Sequence, residues 1–140
     1  MTKSSRLIAF ETLYSIFYDG SYSNIALDKA ISGINEDKAF ISALVYGVAE
    51  RKITLDYFID KYTNGRIKPK VRIILWLGAY QLLFMEKVPS SAAINESVKL
   101  AKQVGQDYYS KLINAVLHKI DNNREIPLQL TAFPKFQATQ

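Results

Sequence analysis

The amino-acid sequence predicts an all-α protein, a bundle of about seven helices. Apolar residues recur at three- and four-residue spacing along most of the chain up to Asp121, which is the period of an amphipathic helix. No segment shows a convincing alternation of apolar and polar residues, so no β-strand is predicted. Hydrophobic residues make up 49% of the 140 residues, which is enough apolar material for the core of one domain.

The first three helices are predicted from their apolar stripes and their ends. Ser4 or Ser5 can cap the first helix, and Gly20 follows its end. Its apolar stripe consists of Leu7, Phe10, Leu13, Tyr14 and Phe17. A short second helix is predicted over residues 24–31. Asn35 is the expected cap of the third helix. The stripe of that helix consists of Phe40, Ile41, Leu44, Val45 and Val48.

Four further helices follow in the second half of the chain. Thr54 is the expected cap of the fourth helix. The fifth, over residues 70–86, is apolar nearly all round, which is typical of a helix in the middle of a bundle. Gly78 lies inside it and costs about 1 kcal/mol relative to alanine, so we expect a neighbouring helix to approach closely there. Ser90 or Ser91 would cap the sixth helix after the break at Pro89. The seventh has a stripe of Tyr109, Leu112, Ile113, Val116, Leu117 and Ile120.

The periodicity divides the chain into two parts. Residues 1–121 form one predicted helical domain. Residues 122–140 are predicted to be a linker or an irregular extension, because Ile126-Pro127 and Phe133-Pro134 argue against a further helix.

The composition excludes several classes of function. The chain has no cysteine, so disulfides, thiolate metal sites and cysteine nucleophiles are excluded. The longest apolar stretch, residues 71–85, is shorter than the roughly 20 residues that cross a bilayer, and no signal peptide is recognisable. We therefore predict a cytoplasmic protein that does not interact with membranes. His118 is the single histidine and has no paired nucleophile, so no catalytic or metal-binding residue is predicted.

Positive charge is concentrated in one part of the chain. The 18 basic and 13 acidic residues give a net charge of +5, which is compatible with binding a polyanion. No acidic residue occurs between Lys61 and Met85, although Asp56 and Asp60 offset the preceding basic pair. A solvated loop is the alternative interpretation. The candidate RNA-binding residues are Lys3, Arg6, Arg51, Lys52, Arg66, Lys68, Lys70 and Arg72.

Tyrosine and asparagine side chains are the other candidates. Four tyrosines at stripe positions are expected to pack in the core: Tyr14, Tyr62, Tyr80 and Tyr109. Four others point inward less clearly, and an exposed tyrosine beside basic residues can stack on an unpaired base: Tyr22, Tyr46, Tyr57 and Tyr108. Asn95 and Asn114 are expected to be partly buried structural amides that bond backbone groups between helices. Direct RNA contact is the alternative for both.

Four segments in order resemble the NusB family. They are Ala-Leu-Val-Tyr-Gly-Val at 43–48, Leu-Gly-Ala-Tyr-Gln-Leu-Leu-Phe-Met-Glu-Lys-Val-Pro at 77–89, Ala-Ile-Asn-Glu-Ser-Val-Lys-Leu-Ala-Lys at 93–102 and Leu-Ile-Asn-Ala-Val-Leu at 112–117. The resemblance covers roughly residues 5–121. It implies a NusB-type helical bundle of two packed sub-bundles with an RNA-binding role.

The family has two main branches, and the resemblance favours one of them. One branch comprises stand-alone transcription antitermination factors. The other is the N-terminal domain of RsmB (Sun/Fmu) methyltransferases, which modify carbon-5 of a cytosine in small-subunit ribosomal RNA with S-adenosylmethionine. Gly78 and Ala115 resemble the methyltransferase branch, because the antitermination branch more often has a bulkier residue and a glycine there. The arginine-rich start of the first helix, which contacts RNA in the antitermination branch, is matched here only by Lys3 and Arg6.

The resemblance implies an RNA-binding accessory domain that catalyses nothing by itself and binds no cofactor. It would position ribosomal RNA, and contact a C-terminal methyltransferase domain that holds S-adenosylmethionine. The chain would then be an N-terminal domain, or a paralogue without the catalytic half. A stand-alone antitermination factor and a helical protein-interaction module are the alternatives.

Overall fold

A computed structural model describes residues 3–34 and 36–131, and these residues confirm the all-α prediction. They contain seven α-helices, one 3-10 turn and no strand. The elements are α1 (Ser5–Tyr18), α2 (Ser23–Ile31), α3 (Lys38–Glu50), α4 (Lys52–Thr63), α5 (Pro69–Phe84), α6 (Ser90–Gln103), the 3-10 turn (Asp107–Tyr109) and α7 (Ser110–Asn122).

The ends of the helices confirm one predicted cap and correct others. The Ser4 hydroxyl oxygen accepts a hydrogen bond from the Leu7 amide at 3.2 Å, as expected of a cap of α1. The prediction for Thr54 was wrong, because α4 begins at Lys52 and Thr54 is a buried residue within it. At α3 the cap position belongs to Asp37, with a left-handed φ of 62°, while Asn35 lies outside the described residues. At α6 it belongs to Pro89, so neither predicted serine is the cap.

The helices form two sub-bundles that meet at α5, which confirms the predicted architecture. Helices α1, α2 and α3 pack on one another, and α4, α6 and α7 pack around α5. Helix α5 also contacts α1 and α3, so it belongs to both sub-bundles. Its buried residues lie on all sides of the helix: Val71, Ile73, Ile74, Leu75, Trp76, Leu77, Gly78, Ala79, Gln81 and Leu82.

Two glycines allow close approach to α5. A Cβ atom placed on Gly78 would lie 2.7 Å from both a Leu117 methyl carbon and the Ser97 hydroxyl oxygen. The close contact expected at this glycine is therefore present, and both α6 and α7 make it. A Cβ atom on Gly47 of α3 would lie 2.1 Å from the ring of Tyr80. Three of the four family-like segments meet at Gly78, and α3 joins them at Tyr80.

The chain beyond α7 folds back before the described residues end. The Arg124 guanidinium donates to the Asp121 carboxylate and to the Ser90 hydroxyl oxygen, which ties this segment to the start of α6. Residues 128–131 form a single helical turn, although the prolines had argued against a further helix. The Pro127 carbonyl accepts from the Leu130 amide at 2.9 Å. A proline interrupts a helix that precedes it but is well suited to begin one.

We expect Gly78→Ala to destabilise the protein. The added methyl group enters the space of Leu117 and Ser97, which are both buried. Overpacking of this kind costs about 1–3 kcal/mol and opposes the gain of about 1 kcal/mol that alanine brings to a helix. The free energy of unfolding, measured in urea, should therefore fall, by up to about 2 kcal/mol.

The control for this experiment is the same change in a Leu117→Ala background. Because the smaller side chain removes one of the two close contacts, Gly78→Ala should cost less there, and the contact with the Ser97 hydroxyl accounts for what remains. An equal loss of stability in both backgrounds would show that contact with Leu117 is not the cause.

Candidate nucleic-acid interface

The basic residues chosen from the sequence fall into two groups in the structure. Some hold helices together through acids, amides or aromatic rings, and others extend from the surface without an acidic partner. Arg72 belongs to the first group. Its guanidinium bonds Asp56 and Asp60, each at 2.9 Å, and the Gly65 carbonyl at 3.2 Å, and its side chain is only 16% exposed.

Asp56 is the centre of this polar network. It accepts hydrogen bonds from Lys52 at 2.9 Å and from the indole of the buried Trp76 at 2.7 Å, in addition to that from Arg72. Burial raises the pKa of Asp56, but these hydrogen bonds and the two positive charges outweigh it and hold the pKa below its ordinary value. Lys52 and Arg72 therefore stabilise the α4–α5 pair, which limits what either can offer to a ligand.

The connection between α4 and α5 is held in a defined shape. Asn64 and Gly65 adopt left-handed backbone conformations, with φ of 60° and 72°, which turn the chain away from α4. Ile67 packs against the core, while Arg66 and Lys68 on either side of it are exposed. Neither forms an ion pair with any residue that the structure describes. Arg72 anchors this loop at Gly65, so it positions the two free cations.

Two adjacent tyrosines, one exposed and one half-buried, lie beside the loop. The Tyr108 side chain is 90% exposed, and its ring meets that of Tyr109 edge to face at 5.0 Å. The ammonium of Lys68 lies 5.6 Å from the centre of the Tyr109 ring. The cation therefore comes from one end of α5 and the rings from the turn before α7. Their contact is a tertiary one that the chain order does not reveal.

A second group of cations surrounds an aromatic ring where the end of α4 meets the last turn of α7. The ammonium groups of Lys61 and Lys119 lie 5.6 and 5.7 Å from the centre of the Tyr62 ring. Tyr57, one turn before Lys61, is partly exposed. Together with the loop these residues form what we call the basic–aromatic surface. It comprises Lys61, Tyr62, Arg66, Lys68, Tyr108, Tyr109 and Lys119.

The tyrosines divide along the line that the sequence indicated. Tyr22, Tyr46, Tyr57 and Tyr108, which the sequence placed inward less clearly, are all exposed. The four expected to face inward pack against the core while remaining partly accessible. What the sequence did not show was the participation of Lys61 and Lys119, which lie outside its candidate list. The signal that could have found Lys119 is the helical register of α7, which brings this residue to the Tyr62 ring.

The remaining basic candidates lie away from this surface or are engaged. Arg6 of α1 donates to the side-chain Oε1 of Gln81 at 2.9 Å and lies over the Phe40 ring. Burial lowers the pKa of Arg6, and the charges of Glu96 and Asp37 offset this only in part. Lys3 pairs with Glu11 at 2.8 Å on the exposed side of α1.

Arg51 and Lys70 complete the candidate set. The Arg51 guanidinium lies 4.4 Å from the centre of the Phe84 ring, which joins the α3–α4 junction to the end of α5. Lys70, in the first turn of α5, is half-buried and forms no ion pair among the described residues. The structure thus brings Arg66, Lys68, Lys70 and Arg72 together, whereas Lys3 and Arg6 belong to the other sub-bundle.

The expectation that Asn95 and Asn114 are buried was wrong. Both side chains are exposed, and neither makes a hydrogen bond with the described part of the chain. Each follows an inward-facing isoleucine by one residue, which turns it about 100° around the helix and out of the core. They line opposite sides of an open groove between α6 and α7, together with Val98, Lys99, Ser110 and Lys111.

Within residues 3–34 and 36–131 no cluster of histidine or acidic side chains has the arrangement of a metal site. His118, the lone histidine, is exposed. No helix in the same ranges is long and apolar enough to cross a membrane. The described residues thus present charged, aromatic and amide groups at their surface.

Residues 3–122 match the model of the NusB family, and the chain belongs to this family. The match covers all seven α-helices and therefore both sub-bundles.

Its relatives include proteins with two different names. The chain is 38% identical over 128 residues to a probable ribosomal RNA small subunit methyltransferase B of Synechocystis and 36% identical over 126 residues to one of Bacillus subtilis. These matches cover 87% and 86% of the chain but only 29% and 28% of those proteins. It is also 34% identical over 127 residues to the transcription antitermination protein NusB of Bacillus licheniformis, covering 88% of the chain and 98% of that protein.

We expect Asp56→Asn to destabilise the fold by about 1.5–3 kcal/mol near neutral pH, because hydrogen bonds to charged groups are worth about that much. The folded-state pKa of Asp56 is below its ordinary value of 3.8, so its contribution is present above that value and is lost as pH falls through the folded-state pKa. The difference between wild type and variant in urea unfolding should therefore shrink in acid.

Asp60→Asn is the matched control. Asp60 bonds the same arginine but its side chain is half exposed, so its loss should cost less than about 1 kcal/mol. Equal losses for the two variants, or a gap between Asp56→Asn and wild type that does not change with pH, would contradict the central role of Asp56.

Proposed function

We propose that this chain is an RNA-binding domain and that the basic–aromatic surface is where RNA binds. The observation that carries the proposal is Tyr108, a large aromatic side chain that is 90% exposed beside a cation-bearing ring. An aromatic ring of this size left in water contributes nothing to the core. Single-stranded RNA is recognised by stacking of unpaired bases on such rings and by cations along its backbone.

The charges around Tyr108 support the same function. Arg66 and Lys68 are exposed and form no ion pair among the described residues, and Lys61 and Lys119 extend positive charge toward the end of α7. Phosphate contacts supply much of the affinity of such sites. Asp56 and Asp60 are both bonded to Arg72 and therefore neutralise little of this charge, and the exposed Asp107 beside Tyr108 accepts a hydrogen bond from the Ser110 hydroxyl.

We propose that this chain is the N-terminal domain of a small-subunit ribosomal RNA methyltransferase. The family resemblance implies that such an enzyme methylates carbon 5 of a cytosine. Gly78 supports this choice, because the residue expected in the antitermination branch is bulkier and α6 and α7 leave no space for one. The domain would hold ribosomal RNA against its own C-terminal domain, which would bind S-adenosylmethionine. The similarity to methyltransferase B proteins supports this reading.

The second candidate is a stand-alone antitermination factor. The observation in its favour is that the match extends over 98% of an antitermination protein but only 29% of a methyltransferase. The gene distinguishes the two candidates directly. A reading frame that continues past Gln140 into a cysteine-containing methyltransferase domain supports the first, and a stop codon there supports the second. A helical protein-interaction module without RNA affinity remains the third, and the titration below tests it.

We predict that stacking and phosphate contact can be separated at this surface. Tyr108→Ala should weaken binding of a single-stranded RNA by about 1–3 kcal/mol without changing the slope of log affinity against log salt. The triple change Arg66→Glu, Lys68→Glu and Lys70→Glu should weaken binding and flatten that slope together, by about 0.7 for each lost phosphate contact. Fluorescence anisotropy over a salt series measures both quantities.

A second triple variant controls for net charge. Lys29, Lys38 and Lys87 are exposed elsewhere on the molecule, and their replacement by glutamate changes the total charge by the same amount. This control should lose much less affinity than the loop variant. Equal losses would assign the effect to overall charge, and unchanged binding by the loop variant and by Tyr108→Ala would exclude this surface.

We also predict that this chain alone neither binds S-adenosylmethionine nor transfers methyl groups. The chain has no cysteine, whereas the resemblance implies that the methyltransferase branch uses a cysteine nucleophile for carbon-5 methylation. Isothermal calorimetry with the cofactor should show no specific heat of binding. A saturable isotherm would overturn this part of the proposal and leave the RNA site to be tested by itself.

A further inference from the structure

The groove between α6 and α7 is a polar feature that the basic–aromatic surface does not include. Asn95, Val98 and Lys99 line it from α6, and Ser110, Lys111 and Asn114 line it from the start of α7. Its volume of about 420 Å³ is within the range of small-molecule binding sites. The groove is open to solvent and has room for a small ligand such as a single base.

We propose that this groove reads an unpaired adenine of the RNA that stacks on Tyr108. The proposal rests on the proposed function and adds a source of base selectivity to it. Stacking on tyrosine and contact with phosphate hardly distinguish bases. A carboxamide carries both a donor and an acceptor, and asparagine pairs in a bidentate manner with the N6 and N7 atoms of adenine.

The two carboxamides are free to make such contacts. Asn95 and Asn114 are exposed, and neither side chain is hydrogen-bonded to the rest of the described chain. The other polar side chain of the α7 wall is engaged, because the Ser110 hydroxyl donates to Asp107 at 2.9 Å. Val98 is half-buried between the two walls and provides an apolar contact for a base.

The charges of the groove favour an anionic ligand. Lys111 is exposed and makes no ion pair within the described ranges. Lys99 contacts Glu96 at 3.2 Å, but its side chain is 71% exposed, and exposed pairs of this kind are weak. Glu96 also interacts electrostatically with Arg6, so its charge is shared between two cations. Two ammonium groups thus line the groove beside two neutral carboxamides, while the acids that adjoin it, Glu96 and Asp107, are bonded to Lys99 and to Ser110.

The groove is continuous with the proposed RNA surface. Tyr108 and Tyr109 directly precede Ser110 and Lys111, so the stacking ring and one wall of the groove belong to the same stretch of chain. The exposed ring of Tyr108 therefore lies two residues before Ser110, the first residue of the α7 wall. An acidic peptide is the competing occupant, since it too would use Lys99 and Lys111.

The test is a comparison of base preference in wild type and variants. Three labelled oligonucleotides of about 12 nucleotides are all uridine except for a central run of adenines, of cytidines, or none. They carry equal phosphate charge, so differences in affinity report the base. Wild type should prefer the adenine probe by on the order of tenfold. Asn95→Ala with Asn114→Ala should reduce this preference to within about twofold, with an unchanged salt slope.

Asn24→Ala provides the matched control, because Asn24 is an exposed amide on α2 in the other sub-bundle. It should keep the full preference, and thermal unfolding should show all variants folded. The inference is overturned if wild type binds the three probes equally or if the double variant keeps the preference for adenine. In either case the proposed RNA-binding function stands. Absence of binding to any probe overturns the proposed function and this inference together. If polyglutamate competes with RNA for wild type but not for the double variant, the groove binds an acidic peptide and the inference is overturned.

Discussion

The near-complete burial of α5 is the constraint on which the other packing depends. A helix with apolar residues on every side must be covered on every side, and here five other helices cover it. This requirement joins the two sub-bundles into one domain. It also explains Gly78 and Gly47, since close packing on both sides of α5 leaves no space for a side chain at either point.

The polar groups next to α5 are consequently structural. Trp76 is buried and its indole needs an acceptor, which Asp56 supplies. Asp56 in turn needs cations to remain ionised in a partly buried place, and Lys52 and Arg72 supply them. Arg72 also bonds the Gly65 carbonyl, so the same network shapes the loop that carries Arg66 and Lys68. Burial of the Trp76 indole is thus linked, through Asp56 and Arg72, to the position of the exposed cations Arg66 and Lys68.

The groups left over after these requirements are met define the face that we assign to RNA. Lys68 and Tyr109 come from different parts of the chain, and so do Lys119 and Tyr62, yet each pair is in contact. The amides of Asn95 and Asn114 lie a short distance along the chain from the exposed Tyr108 and have no structural partner among the described residues. Cations, an aromatic ring and free amides are complementary to the phosphate, the base face and the base edge of an unpaired nucleotide.

The sequence by itself determined the helices, their buried stripes and the central place of α5, because these follow from local periodicity. The sequence could not show which basic residues are structural and which are available to a ligand. Only the tertiary structure shows that Asp56 and Asp60 pair with Arg72 and not with Arg66. The sequence also placed Asn95 and Asn114 wrongly, because one residue of helical rotation decides between core and solvent. Contacts such as that of Lys68 with Tyr109 were decided by the tertiary structure alone, since they depend on how α7 crosses the end of α4 and α5.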